Sequence, residues 1–267
     1  APMPVTIRLL DPPLHEFLPS QKNTQLIDSL ADSMGITSNT IINRIIDLFE
    51  INPMLGHRGC RLAISYPEIT EMQAEAILTA TARLIKEGEK PNPEIMIPLI
   101  SNINEFNNQK LLIKKIATVI ENKFKLKINY KIGTMIELPR ACLTADTIAG
   151  SADFFSFGTN DLTQTTFGFS RDDIGSFIQD YFDNRILTED PFKTLDTNGV
   201  GLLIKLAVEK GRGVDENLKI GICGEHGGDP KSIEFCNDIG LNYVSCSPYR
   251  IPIARLSAAK NCIKLNV

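Results

Sequence analysis

Short apolar runs alternate along this chain with longer segments of helical periodicity. The runs that predict strands cover residues 5–10, 60–65, 94–100, 131–137, 153–158, 219–223 and 242–246. The segments that predict helices cover residues 24–34, 39–49, 68–86, 104–123, 141–148, 200–210, 232–239 and 252–264. This alternation predicts a parallel sheet covered by helices, built either as a barrel or as an open doubly wound layer.

Polar side chains mark the predicted carboxyl ends of several strands, and they favour the barrel. Arg8, Glu137, Asn160, Asp161 and Cys223 lie at such ends, and no GxGxxG turn follows the first run. Sites assembled from many strand ends are typical of barrels, whereas an open sheet gathers its site at one switch point. We therefore predict an α/β fold, a (β/α)8 barrel of the TIM type. Because we find seven strands and not eight, we expect residues 1–267 to be one barrel domain truncated at its N-terminal side.

Charge and hydropathy exclude two classes of partner. Lys and Arg number 28 against 32 Asp and Glu, for a net charge of −4, which lacks the basic surplus of a nucleic-acid-binding surface. The longest apolar runs, at residues 95–100 and 200–207, are too short to cross a bilayer. We expect neither nucleic acid nor a membrane as a partner. The six cysteines form no CxxC pair, which predicts reduced thiols in a cytoplasmic protein.

Glu137 and Asp161 each follow a run of small and apolar residues, GTMI and FSFGTN. Because the carboxyl ends of parallel strands lie at one edge of a sheet, the two carboxylates are placed to share a hard cation. A pair of carboxylates without His or Cys neighbours suits Mg²⁺ or Mn²⁺ better than Zn²⁺. The alternative is structural: a carboxylate after a strand often caps the next helix, and Asp161 fits that description.

Two arginines stand where an anion would be bound. Arg8 lies inside an apolar run, and Arg58 lies between Gly56-His57 and Gly59. A buried guanidinium must be paired because it cannot lose its charge. For Arg8 the partner is either an internal carboxylate, Asp11 or Glu16, or the carboxylate or phosphate of a ligand.

Cys223 ends the run KIGIC and precedes a Gly-rich turn and the helix start Asp229-Pro230. The turn lacks the GK[ST] of a P-loop, so we exclude nucleotide binding here. Three interpretations of Cys223 stay open: a core-filling side chain, a nucleophile paired with His226, or a general acid at the mouth of the barrel.

Five segments carry a family resemblance: VTIRLLDPPLHEF at residues 5–17, GHRGCRL at 56–62, GTMIELPRA at 133–141, FSFGTNDLTQTTFGFSRDD at 155–173 and GICGEHGGDP at 221–230. In this order they resemble the C-terminal phosphoenolpyruvate/pyruvate-binding domain of the pyruvate phosphate dikinases, in the family of phosphoenolpyruvate (PEP)-utilising enzymes. Phosphoenolpyruvate synthase and enzyme I of the sugar phosphotransferase system share these motifs more loosely.

The resemblance implies a barrel that binds pyruvate or PEP with Mg²⁺ and works as a homodimer. It implies a phosphoryl transfer between a phosphohistidine on another domain of the same polypeptide, which also carries an ATP-binding domain, and the enolate oxygen of pyruvate. Arg8 and Arg58 would bind the phosphoryl group. Glu137 and Asp161 would hold Mg²⁺ and, with Gly158, Thr159 and Asn160, would contact the substrate, and Cys223 would move the proton at C3.

The chain also departs from the family pattern. An earlier barrel segment, the ATP-binding domain and the phosphohistidine domain lie outside it, and none of its three histidines (His15, His57, His226) sits in the phosphohistidine motif. We therefore expect no turnover from this chain alone. Besides PEP synthase or an enzyme I-like domain, the alternatives are a Mg²⁺-dependent carbon–carbon lyase and a nonenzymatic dimerisation module.

Overall fold

Six parallel strands form one curled sheet, in the same order as along the chain. The computed structural model describes residues 3–265. The strands are β1 (Val5–Arg8), β2 (Pro93–Ile97), β3 (Lys131–Ile136), β4 (Phe154–Gly158), β5 (Lys219–Cys223) and β6 (Tyr243–Val244). Every neighbouring pair is parallel. Sequential order with parallel neighbours is the arrangement of a (β/α) barrel.

Helices connect the strands, and several of them cover the outer face of the sheet. The helices at residues 24–34 and 38–47 instead pack against each other, in a small apolar cluster of their own. The helices are α1 (Thr24–Met34), α2 (Ser38–Asp47), α3 (Gly59–Ser65), α4 (Pro67–Lys86), α5 (Ile103–Phe124), α6 (Pro139–Leu143), α7 (Ala145–Ala149), α8 (Thr159–Phe167), α9 (Ile178–Asp183), α10 (Val200–Val214), α11 (Pro230–Asp238) and α12 (Ile251–Leu265). Their starts follow known signals: α5 begins with a capping box between Asn102 and Glu105, and Asp229 caps α11 with Pro230 as its first residue, as predicted.

The two faces of the sheet bury different side chains. The main core lies between the sheet and the outer helices and includes Phe155, Phe157, Ile220 and Ile222. A smaller apolar cluster, Met96, Met135 and Phe154, lies on the inner face, with Cys223 packed against it. Because strand side chains alternate between faces, the inner positions of β4 after Phe154 are Ser156 and Gly158, and their small size leaves room inside the barrel.

The predicted α/β fold is confirmed, and the expected gap in the barrel is present. Within residues 3–265, β1 and β6 form the two edges of the sheet and do not pair with each other. A cavity of about 560 Å³ reaches from Thr6 on β1 to Tyr243 on β6. The β1 edge is accordingly exposed, with Val5 60% accessible.

Several predicted elements are corrected. Residues 60–65, predicted as a strand, belong to α3; a six-residue apolar run cannot by itself distinguish a short helix from a strand. Residues 141–148 fall in two short helices, α6 and α7. Two helices, α8 and α9, were not predicted. The strand predicted at 242–246 is reduced to Tyr243–Val244.

Membrane and cysteine predictions are also addressed by the fold. Among the helices of residues 3–265, none combines the length and apolar character that a bilayer span needs. Cys60, Cys142, Cys223, Cys236 and Cys246 form no disulfide. The cytoplasmic location stays a prediction.

Candidate functional site

A cavity of about 330 Å³ opens at the carboxyl ends of the strands. Its lining residues are Arg8, Met96, Met135, Glu137, Gly158, Thr159, Asn160, Asp161, Cys223 and Gly224. Seven of the eight predicted site residues therefore meet in one place, although they span more than two hundred positions of the chain. The eighth, Arg58, lies beside the cavity and contacts it through Asp161.

Arg8 is the exposed cation of the site. Its strand is an edge, and 44% of its side chain is accessible, so the prediction of a buried arginine is wrong. It donates to Asp11 at 3.2 Å, the internal partner considered from the sequence. Water screens the accessible end of this pair and weakens it, so Arg8 is able to turn towards an anion in the cavity.

Arg58 is the buried cation of the site. Its guanidinium donates to Asp11 at 2.6 Å and to both carboxylate oxygens of Asp161, at 3.1 and 3.4 Å. Only 4% of its side chain is accessible. Burial alone would lower the pKa of Arg58, but the charges of Asp161 and Asp11 outweigh burial and raise that pKa above its ordinary value. The geometry makes Arg58 the fixed partner of two carboxylates.

Glu137 is a buried carboxylate, 1% exposed. It accepts a hydrogen bond of 2.6 Å from the backbone N–H of Leu99, a residue in the left-handed region with φ of 60°. Burial raises the pKa of Glu137 well above its usual range, and the negative charges of Asp161 and Asp11 add to that rise. A Cβ at Gly158 would lie 2.4 Å from Glu137 Oε2. Any residue other than glycine at this position would therefore clash with the Glu137 carboxylate.

The start of α8 supplies the next three residues of the site. Gly158 is the N-cap and offers no side-chain acceptor, and Thr159, Asn160 and Asp161 form the first turn, whose N–H groups favour negative charge. Asp161 binds Arg58, and no bond from a backbone N–H to its carboxylate is found among the described residues. The helix-cap interpretation of Asp161 is therefore not supported.

Cys223 lies at the end of β5, partly buried, with its thiol 3.4 Å from the Phe157 carbonyl oxygen. Burial raises the pKa of the Cys223 thiol to about 11, with a contribution from the charge of Glu137 and an opposing hydrogen bond to Ser156. The thiol therefore keeps its proton near neutral pH. A protonated thiol beside a cavity is a proton donor rather than a nucleophile.

His226 does not serve Cys223 as a base. Its ring is fully buried, with Nδ1 2.7 Å from the Thr159 hydroxyl oxygen and Nε2 2.9 Å from the Pro191 carbonyl oxygen. Both nitrogens are thus engaged away from the thiol. The cysteine–histidine pair of a thiol hydrolase is not formed.

Part of the site cannot be assigned from the sequence. Asp11 was considered only as a partner of Arg8, yet it binds Arg58 more closely. Met96 and Met135 form the apolar floor, and Ser156 lies beside the thiol. The alternation of Phe154, Ser156 and Gly158 on β4 was the available signal, because small residues at inward positions of a barrel strand leave space for a ligand.

Within residues 3–265, no group of three or more His, Cys, Asp or Glu side chains is arranged to hold a metal ion by itself. The carboxylate pair differs from such a site, because a hard cation held by two carboxylates takes its other ligands from substrate and water. The shared-metal hypothesis rests on Glu137 and Asp161 facing one cavity.

Comparison with known proteins gives one family. The model of the PEP-binding domain of PEP-utilising enzymes matches residues 1–262. A chloroplastic pyruvate, phosphate dikinase of Mesembryanthemum crystallinum is 56% identical over 97% of this chain and 27% of its own length. Pyruvate, phosphate dikinase 2 of Zea mays is 56% identical over 96% of this chain and 29% of its own length. The chain thus spans less than a third of these relatives.

A solved citrate lyase from Burkholderia xenovorans LB400 overlaps more weakly. It is 13% identical, with a TM-score of 0.42, and the overlap covers 62% of this chain and 48% of that one. This likeness is too low to support a functional conclusion.

Proposed function

The chain belongs to the PEP-utilising enzymes, whose PEP-binding domain it contains, and from this premise we propose that it binds pyruvate and PEP in the 330 Å³ cavity. One observation carries the proposal: an exposed cation, two carboxylates, a helix start and a protonated thiol surround the same small space. These are the groups needed to bind an anionic substrate, stabilise an enolate and move a proton at carbon.

Arg8 and the start of α8 bind the anionic groups of the substrate. Arg8 offers a planar fork that matches a phosphate or carboxylate. Its side chain is 44% accessible, so its guanidinium can contact a ligand as well as Asp11, its ion-pair partner among the described residues. The first-turn N–H groups of Thr159 and Asn160 favour a second anionic group. Arg58 supports this side of the cavity by holding Asp161. The direct phosphoryl contact that the resemblance implies for Arg58 stays a prediction.

The residues present fit a divalent cation. Leu99 occupies Oε1 of Glu137, and Oε2 points to the Gly158 side of the cavity. The side-chain oxygen of Asn160 is buried and has no hydrogen-bond partner among the described residues. Glu137 and Asp161 would hold Mg²⁺, with Asn160 beside them, because carboxylate and amide oxygens are its preferred protein ligands. A bound Mg²⁺ would supply positive charge where the enolate oxygen develops negative charge.

Cys223 acts at C3 of the substrate. In the direction of pyruvate formation its thiol gives a proton to C3 of the enolate and becomes a thiolate. In the opposite direction the thiolate takes a proton from the pyruvate methyl group, and the enolate oxygen receives a phosphoryl group. The O–P bond then forms as the N–P bond of a phosphohistidine breaks.

We place the phosphohistidine on a domain of a longer polypeptide of which this chain is one part. The relatives are over three times as long as this chain, and we propose that phosphohistidine and ATP-binding domains of the same polypeptide complete the reaction ATP + pyruvate + phosphate to AMP + PEP + diphosphate. We also propose a homodimer through this domain, supported by the apolar side chains Ile253, Leu256 and Ile263 that α12 exposes.

The experiment that tests this proposal follows the methyl protons of pyruvate in D₂O by proton NMR. We expect the chain with Mg²⁺ to exchange these protons for deuterium well above the rate of Mg²⁺ alone, since enolate formation needs no phosphoryl donor. In Asp161→Asn we expect added Mg²⁺ to give no acceleration of the exchange. A wild-type chain that binds pyruvate but accelerates no exchange would contradict the proposed proton transfer.

A further inference from the structure

His226 is a buried polar side chain beside the site, and the proposed function leaves it without a role. It lies three residues beyond Cys223, in the turn that follows β5, and it is 0% exposed. Its ring contacts two distant segments, Thr159 at the start of α8 and Pro191 in the segment between α9 and α10. A buried histidine bonded at both nitrogens holds three segments together at once.

The direction of these hydrogen bonds follows from counting protons. The Pro191 carbonyl oxygen only accepts, so Nε2 of His226 must carry a proton. Burial lowers the pKa of His226 despite the nearby carboxylates of Asp229, Glu225 and Asp190, which favours a neutral ring. In a neutral ring Nδ1 carries no proton and accepts the hydroxyl proton of Thr159.

The Thr159 hydroxyl has a second acceptor within reach. Its oxygen lies 3.1 Å from the Cys223 carbonyl oxygen and 2.7 Å from His226 Nδ1. The single hydroxyl proton cannot form two good hydrogen bonds at once, and the shorter contact is the one to the histidine. The hydroxyl proton of Thr159 is thereby committed to His226 and not to an anion in the cavity.

We propose that His226 is a positioning residue for Cys223: by accepting the Thr159 hydroxyl proton, it holds the Cys223–Gly224 turn against the start of α8. This inference rests on the proposed function, because α8 anchors the substrate and Cys223 moves its proton. Gly224 has a φ of 101°, a conformation accessible chiefly to glycine, so the turn itself allows movement that His226 restrains. The distance from thiol to substrate C3 then depends on the bond between His226 and Thr159.

Two substitutions separate the two bonds of the ring. In His226→Asn the amide oxygen takes the place of Nδ1, so the bond from Thr159 is kept and the bond to Pro191 is lost. In His226→Gln the amide nitrogen takes the place of Nε2, so the bond to Pro191 is kept and the bond from Thr159 is lost. Both variants remove the ring, and each is therefore the control for the other.

We expect His226→Gln to slow Mg²⁺-dependent methyl exchange of pyruvate by about 100-fold, because a misplacement of about 1 Å costs that much. His226→Asn should stay within a few-fold of wild type. The pyruvate dissociation constant, measured by calorimetry with Mg²⁺, should change little in either. Nitrogen-15 NMR should show Nδ1 of His226 unprotonated; the chain has three histidines, and the variants identify the signal.

The opposite order, with the Asn variant impaired and the Gln variant active, would assign His226 to the Pro191 segment and overturn the proposal. Equal exchange in both variants, a joint loss of exchange, binding and thermal stability, or a protonated Nδ1 would overturn it as well. Absence of exchange in the wild-type chain would overturn the proposed function and this inference with it. Exchange in wild type with the wrong order of variants overturns this inference alone.

Discussion

Replacing Cys223 by serine is expected to slow Mg²⁺-dependent methyl exchange of pyruvate by a factor of about 10² to 10⁴, the usual contribution of a positioned acid or base. Serine nearly keeps the volume of the side chain, but its hydroxyl is far too weak an acid to exchange a proton at carbon. The Cys223 thiol, with a pKa of about 11, is closer to the range in which proton transfer is useful. The rate is measured from the decay of the methyl signal in D₂O.

Cys246 provides the matched control for this change. It shares the neighbouring 560 Å³ cavity with Cys223 but does not line the proposed site. We expect Cys246→Ser to leave the exchange rate unchanged, and Cys223→Ser to leave pyruvate binding within a few-fold of wild type. Exchange within a few-fold of wild type in Cys223→Ser would make the thiol structural. A joint fall of exchange, binding and melting temperature would identify it as a core-filling side chain.

The second large effect concerns the two arginines, which the sequence treats alike and the structure separates. We expect Arg58→Met to lower the free energy of unfolding by about 3–5 kcal/mol, because it leaves the buried carboxylate Asp11 and the partly buried carboxylate Asp161 without their partner. Arg8→Met should cost less than about 1 kcal/mol, since the Arg8 side of its ion pair is exposed and Asp11 keeps the closer partner Arg58. Urea unfolding followed by circular dichroism measures both values.

For PEP binding we expect the larger effect from the substitution of Arg8, in contrast to the effects on stability. Arg8→Met is expected to raise the dissociation constant of PEP strongly while the fold is kept, because the Arg8 side chain lines the cavity. An Arg58→Met variant that is as stable as wild type would contradict the assignment of Arg58 as the buried partner of two carboxylates. Equal loss of stability in both variants would contradict the distinction between them.

The sequence predicts the layers of this fold better than its connections. Alternating runs locate all six strands, because buried parallel strands are short and apolar. The run at residues 60–65 misleads because α3 buries Cys60, Leu62 and Ala63 in so few residues that no period is visible. Helix α8 was missed since its sequence, TNDLTQTTF, has little apolar periodicity.

For the site, too, the sequence predicts the positions of residues at strand ends but not the contacts between remote segments. Motifs place Glu137, Asp161 and Cys223 at strand ends, and strand ends meet. Pairings between remote segments are not visible in the sequence: Arg58 and Asp161 are separated by 103 positions, and His226 and Thr159 by 67. The burial that raises the pKa of Glu137 and Cys223 also depends on these contacts. Such features follow from packing, so they require the three-dimensional structure.

The central claim is that Glu137 and Asp161 hold one divalent cation against a PEP or pyruvate molecule in the cavity. The most direct test is a crystal of the chain grown with Mn²⁺ and PEP, with anomalous scattering measured at the manganese edge. We expect one strong anomalous peak between the carboxylates of Glu137 and Asp161, with the PEP anion between Arg8 and the start of α8. A peak at another site, or PEP bound in the cavity with no metal between the two carboxylates, would contradict it.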